Sequence, residues 1–110
     1  MLRMAVLVVA CDLPFLHVGL LARLAELSAG ADAAWVSGRR GPEPLLACYR
    51  QSARAVLRRE IDAGRLRAAA IGDLLRVATI GEAELAQFGT SERLLANVNT
   101  EADWKRALTL

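Results

Sequence analysis

The uninterrupted apolar run Ala5-Val6-Leu7-Val8-Val9-Ala10, leading into Cys11-Asp12-Leu13-Pro14-Phe15-Leu16, constrains this chain more than any other stretch. β-Branched Val packs well on a pleated surface, and a short apolar run without polar alternation reads as a strand buried on both faces of a parallel sheet. Pro14 has no N–H for a ladder and drives Leu13 towards extended geometry, so the strand is expected to end near Asp12. A carboxylate at the carboxyl end of a buried parallel strand stands where open α/β sheets bind ligands. Turning or capping the loop is an equally ordinary role for an Asp there.

The following residues continue an α/β pattern. Leu20, Leu21, Leu24 and Leu27 recur at helical spacing between about His17 and Ser28, with Arg23 and Glu26 on the other face and Gly30 as a stop. Ala33 to Ser37 reads as a second strand, so strand, helix and strand form a unit with an expected right-handed parallel crossover. Residues 38–44 (Gly-Arg-Arg-Gly-Pro-Glu-Pro) read as a loop by composition. Leu45 to Tyr49 reads as a strand, antiparallel at an edge. Gln51 to Ala63 has an apolar face of Ala53, Val56, Leu57 and Ile61, with Arg54, Arg58, Arg59 and Asp62 turned to solvent and Gly64 at the end. Leu66 to Leu75 repeats helical spacing, with Gly72 as a weak point, and Arg76 to Ile80 reads as a strand. Residues 82–91 have no clear period. Thr100 and Asp103 have the spacing of a capping box, which predicts a last helix from Glu101 with Trp104, Ala107 and Leu108 on its buried side.

A chain of 110 residues is one domain or part of one. Its hydrophobic share of 55% is high against the ordinary range of roughly 45–50%, and Ala accounts for much of it. Apolar strands with nothing before Met1 to Met4 to pair with predict surface meant for cover. A net charge of +2, with arginines dispersed over helix faces, is too small for a nucleic-acid footprint. Cys11 and Cys48 form no CxxC and lie in apolar strands, so both are expected to be buried, reduced thiols. Asp12 and Pro14 interrupt the first apolar run too early for a signal peptide, and no stretch approaches the roughly 20 apolar residues that span a bilayer, so no membrane partner and a cytoplasmic location are expected. His17, the lone histidine, has nothing nearby in sequence to orient it as a base.

The stretch Val8-Val9-Ala10-Cys11-Asp12-Leu13-Pro14-Phe15-Leu16 resembles the central motif of the molybdenum cofactor guanylyltransferases, the MobA-like nucleotidyltransferases. Glu43-Pro44-Leu45-Leu46-Ala47-Cys48-Tyr49 and Asn97-Val98-Asn99-Thr100 resemble later family stretches in the same order. The resemblance implies an α/β three-layer fold with a mainly parallel, Rossmann-like sheet. It also implies transfer of GMP from GTP to molybdopterin, with Asp12 holding Mg²⁺. One carboxylate suffices for that ion, which keeps several waters and is otherwise bound by substrate phosphates. The matching asparagines of the family serve the molybdopterin side, which implies that role for Asn97 and Asn99. From spacing alone the two amides of an extended segment share a face, and ending a strand or capping a turn is the competing reading. Arg39, Arg40, Glu43 and Pro44 match a family loop bordering the pocket, which implies Arg40 as the candidate for a phosphate contact, with a solvated loop arginine as the competing reading. NVNT separates the chain from cytidylyltransferase relatives, which usually carry acidic residues there.

The family's N-terminal Gly-rich loop, Leu-Ala-Gly-Gly with a following Arg-Met-Gly and a Lys, has no counterpart here, and Lys105, the one lysine, is in the wrong place for it. Residues 1–110 therefore read as the C-terminal part of a MobA-like domain, incomplete at the N-terminus and expected to be inactive as an isolated chain. The alternatives are a nucleotidyltransferase with another base or acceptor, such as a cytidylyltransferase, a non-catalytic remnant, and a subunit whose sheet is completed by self-association or by a partner.

Overall fold

The computed structural model describes residues 5–65 and 67–109. Strand β1 (Ala5–Val9) leads to helix α1 (Val18–Ser28), then to strands β2 (Ala33–Gly38) and β3 (Gly41–Arg50). A 3₁₀ turn at Gln51–Ala53 opens α2 (Arg54–Asp62). Then come α3 (Ala68–Leu74), β4 (Val77–Ile80), α4 (Glu82–Leu85), α5 (Ser91–Leu94) and α6 (Glu101–Ala107). The sheet order is β1-β3-β2-β4, with β3 antiparallel to both its neighbours and β2 parallel to β4. β1, β2 and β4 thus run one way and β3 alone against them, so the sheet is mixed rather than purely parallel.

Alternation along the strands builds two cores and hence three layers. Ala34, Val36, Leu46, Cys48 and Ile80 face Leu20 and Leu24 of α1, with Leu85 and Leu94. Ala33, Trp35, Ala47 and Tyr49 face the other way, onto Ala53, Ile71 and Leu75. Leu20 and Leu24 are fully buried, each contributing about 1.5–3 kcal/mol relative to exposure. Gly72 lets α3 approach the sheet: a Cβ there would lie 3.3 Å from the Trp35 ring. The last turn of α1 is closed by Arg50, whose Nε donates to Ser28 Oγ at 2.8 Å and whose Nη2 donates to the Ala25 carbonyl at 2.9 Å. A cation among those carbonyls is favourable at a helix C-terminus.

Several expectations are corrected. β1 is not buried on both faces. It pairs with β3 along one edge, and Val6, Leu7 and Val9 are 52%, 45% and 37% exposed. Residues 38–44 are not a loop. Gly41, at φ +102°, lets the chain reverse after Arg39-Arg40, and Pro42 to Pro44 already belong to β3. This tight hairpin forces β3 beside β2, so β3 lies inside the sheet and not at its edge. Pro42 and Pro44 are tolerated because β1 reaches only as far as Leu46, which leaves the first half of β3 unpaired on that side.

Cys48 is buried as expected, but Cys11 is exposed, because pairing stops before it and the chain turns at Cys11-Asp12. Ala53, Val56 and Leu57 pack on the core as expected, but the next inward position is taken by Glu60, buried in an ion pair with Arg65 at 2.9 Å, and Ile61 is 57% exposed. Of the expected buried side of α6 only Ala107 is buried, while Trp104 and Leu108 are exposed. Residues 82–94 fold as two short helices joined by a turn. Leu66, at the start of the expected third helix, and the Met1 to Met4 lead-in lie outside the described residues.

Candidate functional site

The loop between β1 and α1 is held by backbone first. Ala10 N–H donates to the Leu45 carbonyl at 2.8 Å, which carries the ladder one residue past β1. The Asp12 carbonyl accepts from Val98 N–H, also at 2.8 Å, and so brings the Asn97-containing segment against the loop. Phe15 then packs between two helices. Its ring stacks on Trp104 with centroids 6.1 Å apart, and the Arg93 guanidinium carbon lies 3.9 Å from its centroid. His17 closes the loop as the N-cap of α1, its Nδ1 accepting from Gly19 N–H at 2.9 Å, and its ring lies against Phe88. The histidine is thus a cap and a packing residue.

The opposite wall is an irregularity in β3. Trp35 pairs with Ala47 and Val36 with Glu43, so Pro44, Leu45 and Leu46 are extra residues on the β3 side. Pro44 cannot donate to a ladder, and its carbonyl accepts instead from the Tyr49 hydroxyl at 2.7 Å. Burial holds that phenol above its ordinary value, so it remains a donor. Bulges of this kind bend a strand and occur beside functional sites. Here the bulge and the Asp12 loop enclose a cavity of about 200 Å³, lined by Asp12, Leu13, Glu43, Pro44, Leu95 and Asn97 among others.

A second, more open cavity of about 480 Å³ adjoins it, sharing Glu43, Leu95 and Asn97. Arg39 and Arg40 of the hairpin, Ser91 and Glu92 of α5, and Asp103, Arg106 and Ala107 of α6 complete its lining, with Ala96. Leu95 forms part of both cavities because Gly38 makes room for it: a Cβ there would lie 2.5 Å from Leu95 Cδ1. The capping box of α6 is present, with Thr100 Oγ1 accepting from Asp103 N–H at 3.1 Å. Asp103 is held below the ordinary carboxylate range by the Asn99 N–H, with the Thr100 hydroxyl, Arg106 and the Thr100 N–H adding to it. Its carboxylate is paired with Arg106.

The structure therefore brings Asp12, Asn97 and Arg40 to adjoining cavities. It does not bring Asn99 there: Asn99 is exposed, lines neither cavity, and gives its backbone N–H to Asp103 Oδ2 at 3.2 Å. Sequence reasoning missed Glu92, Arg106 and Leu95. Among the described residues no group of three or more His, Cys, Asp or Glu is placed to hold a metal. The donor set at the smaller cavity is Asp12 with Glu43, and one or two carboxylates suit a cation that keeps its waters. No helix among the described residues is long and apolar enough to cross a membrane.

Residues 3–78 match the family described as the MobA-like NTP transferase domain. The chain is 37% identical over 102 residues to a probable molybdenum cofactor guanylyltransferase of Chloroflexus aggregans, covering 90% of this chain and 49% of that protein. It is similar in structure to molybdopterin-guanine dinucleotide biosynthesis protein A from Archaeoglobus fulgidus, with a TM-score of 0.78 and 33% identity. That match covers 94% of this chain and 53% of the other. The chain spans about half the length of both relatives.

Proposed function

The chain belongs to the MobA-like NTP transferase family, and from that premise we propose that it supplies the acceptor side and the metal-holding carboxylate of a molybdenum cofactor guanylyltransferase, corresponding to the C-terminal part of such an enzyme. The observation that carries this reading is the meeting of Asp12, Asn97 and Arg40 at adjoining cavities, from three regions far apart in sequence. In guanylyl transfer a phosphate oxygen of molybdopterin attacks the α-phosphorus of GTP. A new P–O–P linkage forms, the bond from the α-phosphorus to the β-phosphate bridge breaks, and pyrophosphate leaves with the bonding pair.

Asp12, with Glu43 lining the same cavity, would hold Mg²⁺, and when bound that ion offsets charge building on the phosphate oxygens. Arg40 orients the acceptor phosphate as a permanently charged donor. Asn97, at the junction, can donate and accept at once, which suits the boundary between a phosphate and a ring. None of these groups acts as a covalent nucleophile, and the reaction needs none, because positioning and electrostatics carry it. For Asn99 the assignment to the pterin side rests on the family resemblance alone.

The test is pyrophosphate release with GTP, Mg²⁺ and molybdopterin, measured on this chain alone and on this chain fused to the unmatched half of the Archaeoglobus fulgidus protein. We expect turnover only in the fusion. No turnover in a folded fusion that binds GTP would refute the reading. The exposed edge of β1 favours a second arrangement, in which the same half-domain is a subunit completed by a partner strand. In that case adding the unmatched half as a separate chain restores turnover as fusion does.

A further inference from the structure

Three arginines and three carboxylates face the larger cavity. Arg106 and Asp103 are paired with each other, and Glu43 is shared with the Asp12 cavity. That leaves Arg39 and Arg40 at the hairpin tip and Glu92 on α5. Among the described residues none of these is in an ion pair. Leu95, Ala96 and Ala107 add apolar lining to the same cavity. An apolar surface with a few converging polar groups is the usual form of a small-molecule site.

Cations from one element and an unpartnered carboxylate from another select a ligand that is anionic at one point and donates hydrogen bonds at a second. A phosphate monoester matches the arginines, whose forked N–H groups suit phosphate oxygens. An ionised carboxylate accepts only, and its two oxygens can take two parallel N–H donors. A ring with a 2-amino-4-oxopyrimidine edge presents two such donors, the ring N3–H and the exocyclic amine.

We propose that Glu92 is the specificity-determining residue of this cavity, accepting both donors of a 2-amino-4-oxopyrimidine edge while Arg39 and Arg40 hold a phosphate monoester on the same ligand. The assignment of that ligand to the acceptor rests on the proposed function. Pterins and guanines share this edge, so the source is decided by experiment. Glu92 is exposed on a short helix, and replacing it leaves the buried core untouched.

Calorimetric titration of the 110-residue chain with 6-hydroxymethylpterin phosphate, 6-hydroxymethylpterin, GMP and inorganic phosphate tests this directly. The pterin phosphate should bind most tightly. Glu92→Gln should weaken both pterin ligands by about tenfold or more, because loss of a charge-assisted pair removes the stronger class of hydrogen bond, and it should leave inorganic phosphate unchanged. Arg39→Gln and Arg40→Gln should weaken the phosphate-bearing ligands and spare the unphosphorylated pterin. No pterin binding by the unaltered chain, or equal pterin affinity in Glu92→Gln at an unchanged melting temperature, overturns the proposal. Tighter binding of GMP than of pterin phosphate overturns the assignment to the acceptor. Guanylyl transfer by the fusion with an unchanged acceptor KM in Glu92→Gln overturns the role of Glu92 and leaves the reaction standing. Glu92-dependent pterin binding without transfer leaves the role of Glu92 standing and removes the reaction.

Discussion

The main-chain carbonyl of Asp12 accepts the N–H of Val98 at 2.8 Å. This single bond joins the loop after the first strand to the segment before the last helix, and it sets Asp12 and Asn97 on one cavity. The side chain of Asp12 takes no part in it. The position of the loop therefore depends on the backbone and on Phe15, and the carboxylate is left available for chemistry.

Phe15 is the side-chain half of that junction, between Trp104 and Arg93. Phe15→Ala removes both the ring stack and the cation–π contact, each worth about 0.5–1.5 kcal/mol. We expect the Val98 amide to exchange with solvent faster, while amides of the central pair β2 and β3 keep their protection. Hydrogen exchange followed by NMR measures both. Unchanged exchange at Val98 would mean that backbone alone holds the junction.

Among the described residues β1 has no strand on its outer side, and it carries its apolar side chains at that edge. Unpaired edge backbone with apolar neighbours invites pairing between chains. The 110-residue chain should self-associate at micromolar concentration, on the order of where such edges begin to associate. Leu7→Lys, at a position already 45% exposed, should suppress association with little change in melting temperature. Sedimentation velocity of the two proteins distinguishes the outcomes, and a monomer before the substitution would count against the open edge being available.

Asp32 should contribute to acid sensitivity. Its carboxyl is held below the ordinary value of 3.8 by the Ser52 hydroxyl and the Arg76 N–H, the latter at 2.8 Å. A carboxyl whose value is lower folded than unfolded stabilises fully above the unfolded value and loses that contribution as pH falls through the folded one. Asp103 shifts the same way and adds to the effect. Denaturant midpoints should therefore fall as pH drops below about 4, and Asp32→Asn should flatten that fall while lowering the midpoint at neutral pH. An unchanged slope in Asp32→Asn would assign the acid loss to other groups.

The parts of the fold that were legible in the sequence are those set by local chemistry. The capping box at Thr100 and Asp103 starts α6 at Glu101 as expected, and the Leu20–Leu24 spacing buries both residues in α1. What was not legible depends on pairing between distant segments. Composition alone makes residues 38–44 a loop, but the hairpin reversal at Gly41 turns most of them into strand. The run from Ala5 to Val9 has the composition of a buried strand, yet its burial depends on a neighbour strand, which no local pattern can supply. The same holds for the site. Asp12 is visible as an acid after a strand, whereas Glu92 and Arg106 reach the cavity only because α5 and α6 fold back onto the hairpin.

The sharpest test of the site is Asp12→Asn in the fused enzyme. Structurally Asp12 contributes its carbonyl to Val98, which Asn retains, and Asn is as good as Asp in turns and caps. Thermal stability should therefore stay nearly unchanged. Chemically the two differ in charge: a neutral amide oxygen is a poor substitute for a carboxylate at a hard divalent cation. Turnover should fall by about two orders of magnitude or more, equivalent to roughly 3 kcal/mol of transition-state stabilisation. If weakened metal binding is the cause, raising Mg²⁺ or supplying Mn²⁺ should recover part of the loss. Glu43→Gln should then shift the metal dependence in the same direction by a smaller factor, because Glu43 shares the cavity without standing at the end of the strand. Turnover against metal concentration, recorded beside a melting curve, separates these effects. Near-normal turnover in Asp12→Asn would take Asp12 out of the site. A fall in turnover that tracks a fall in melting temperature would instead make its role structural.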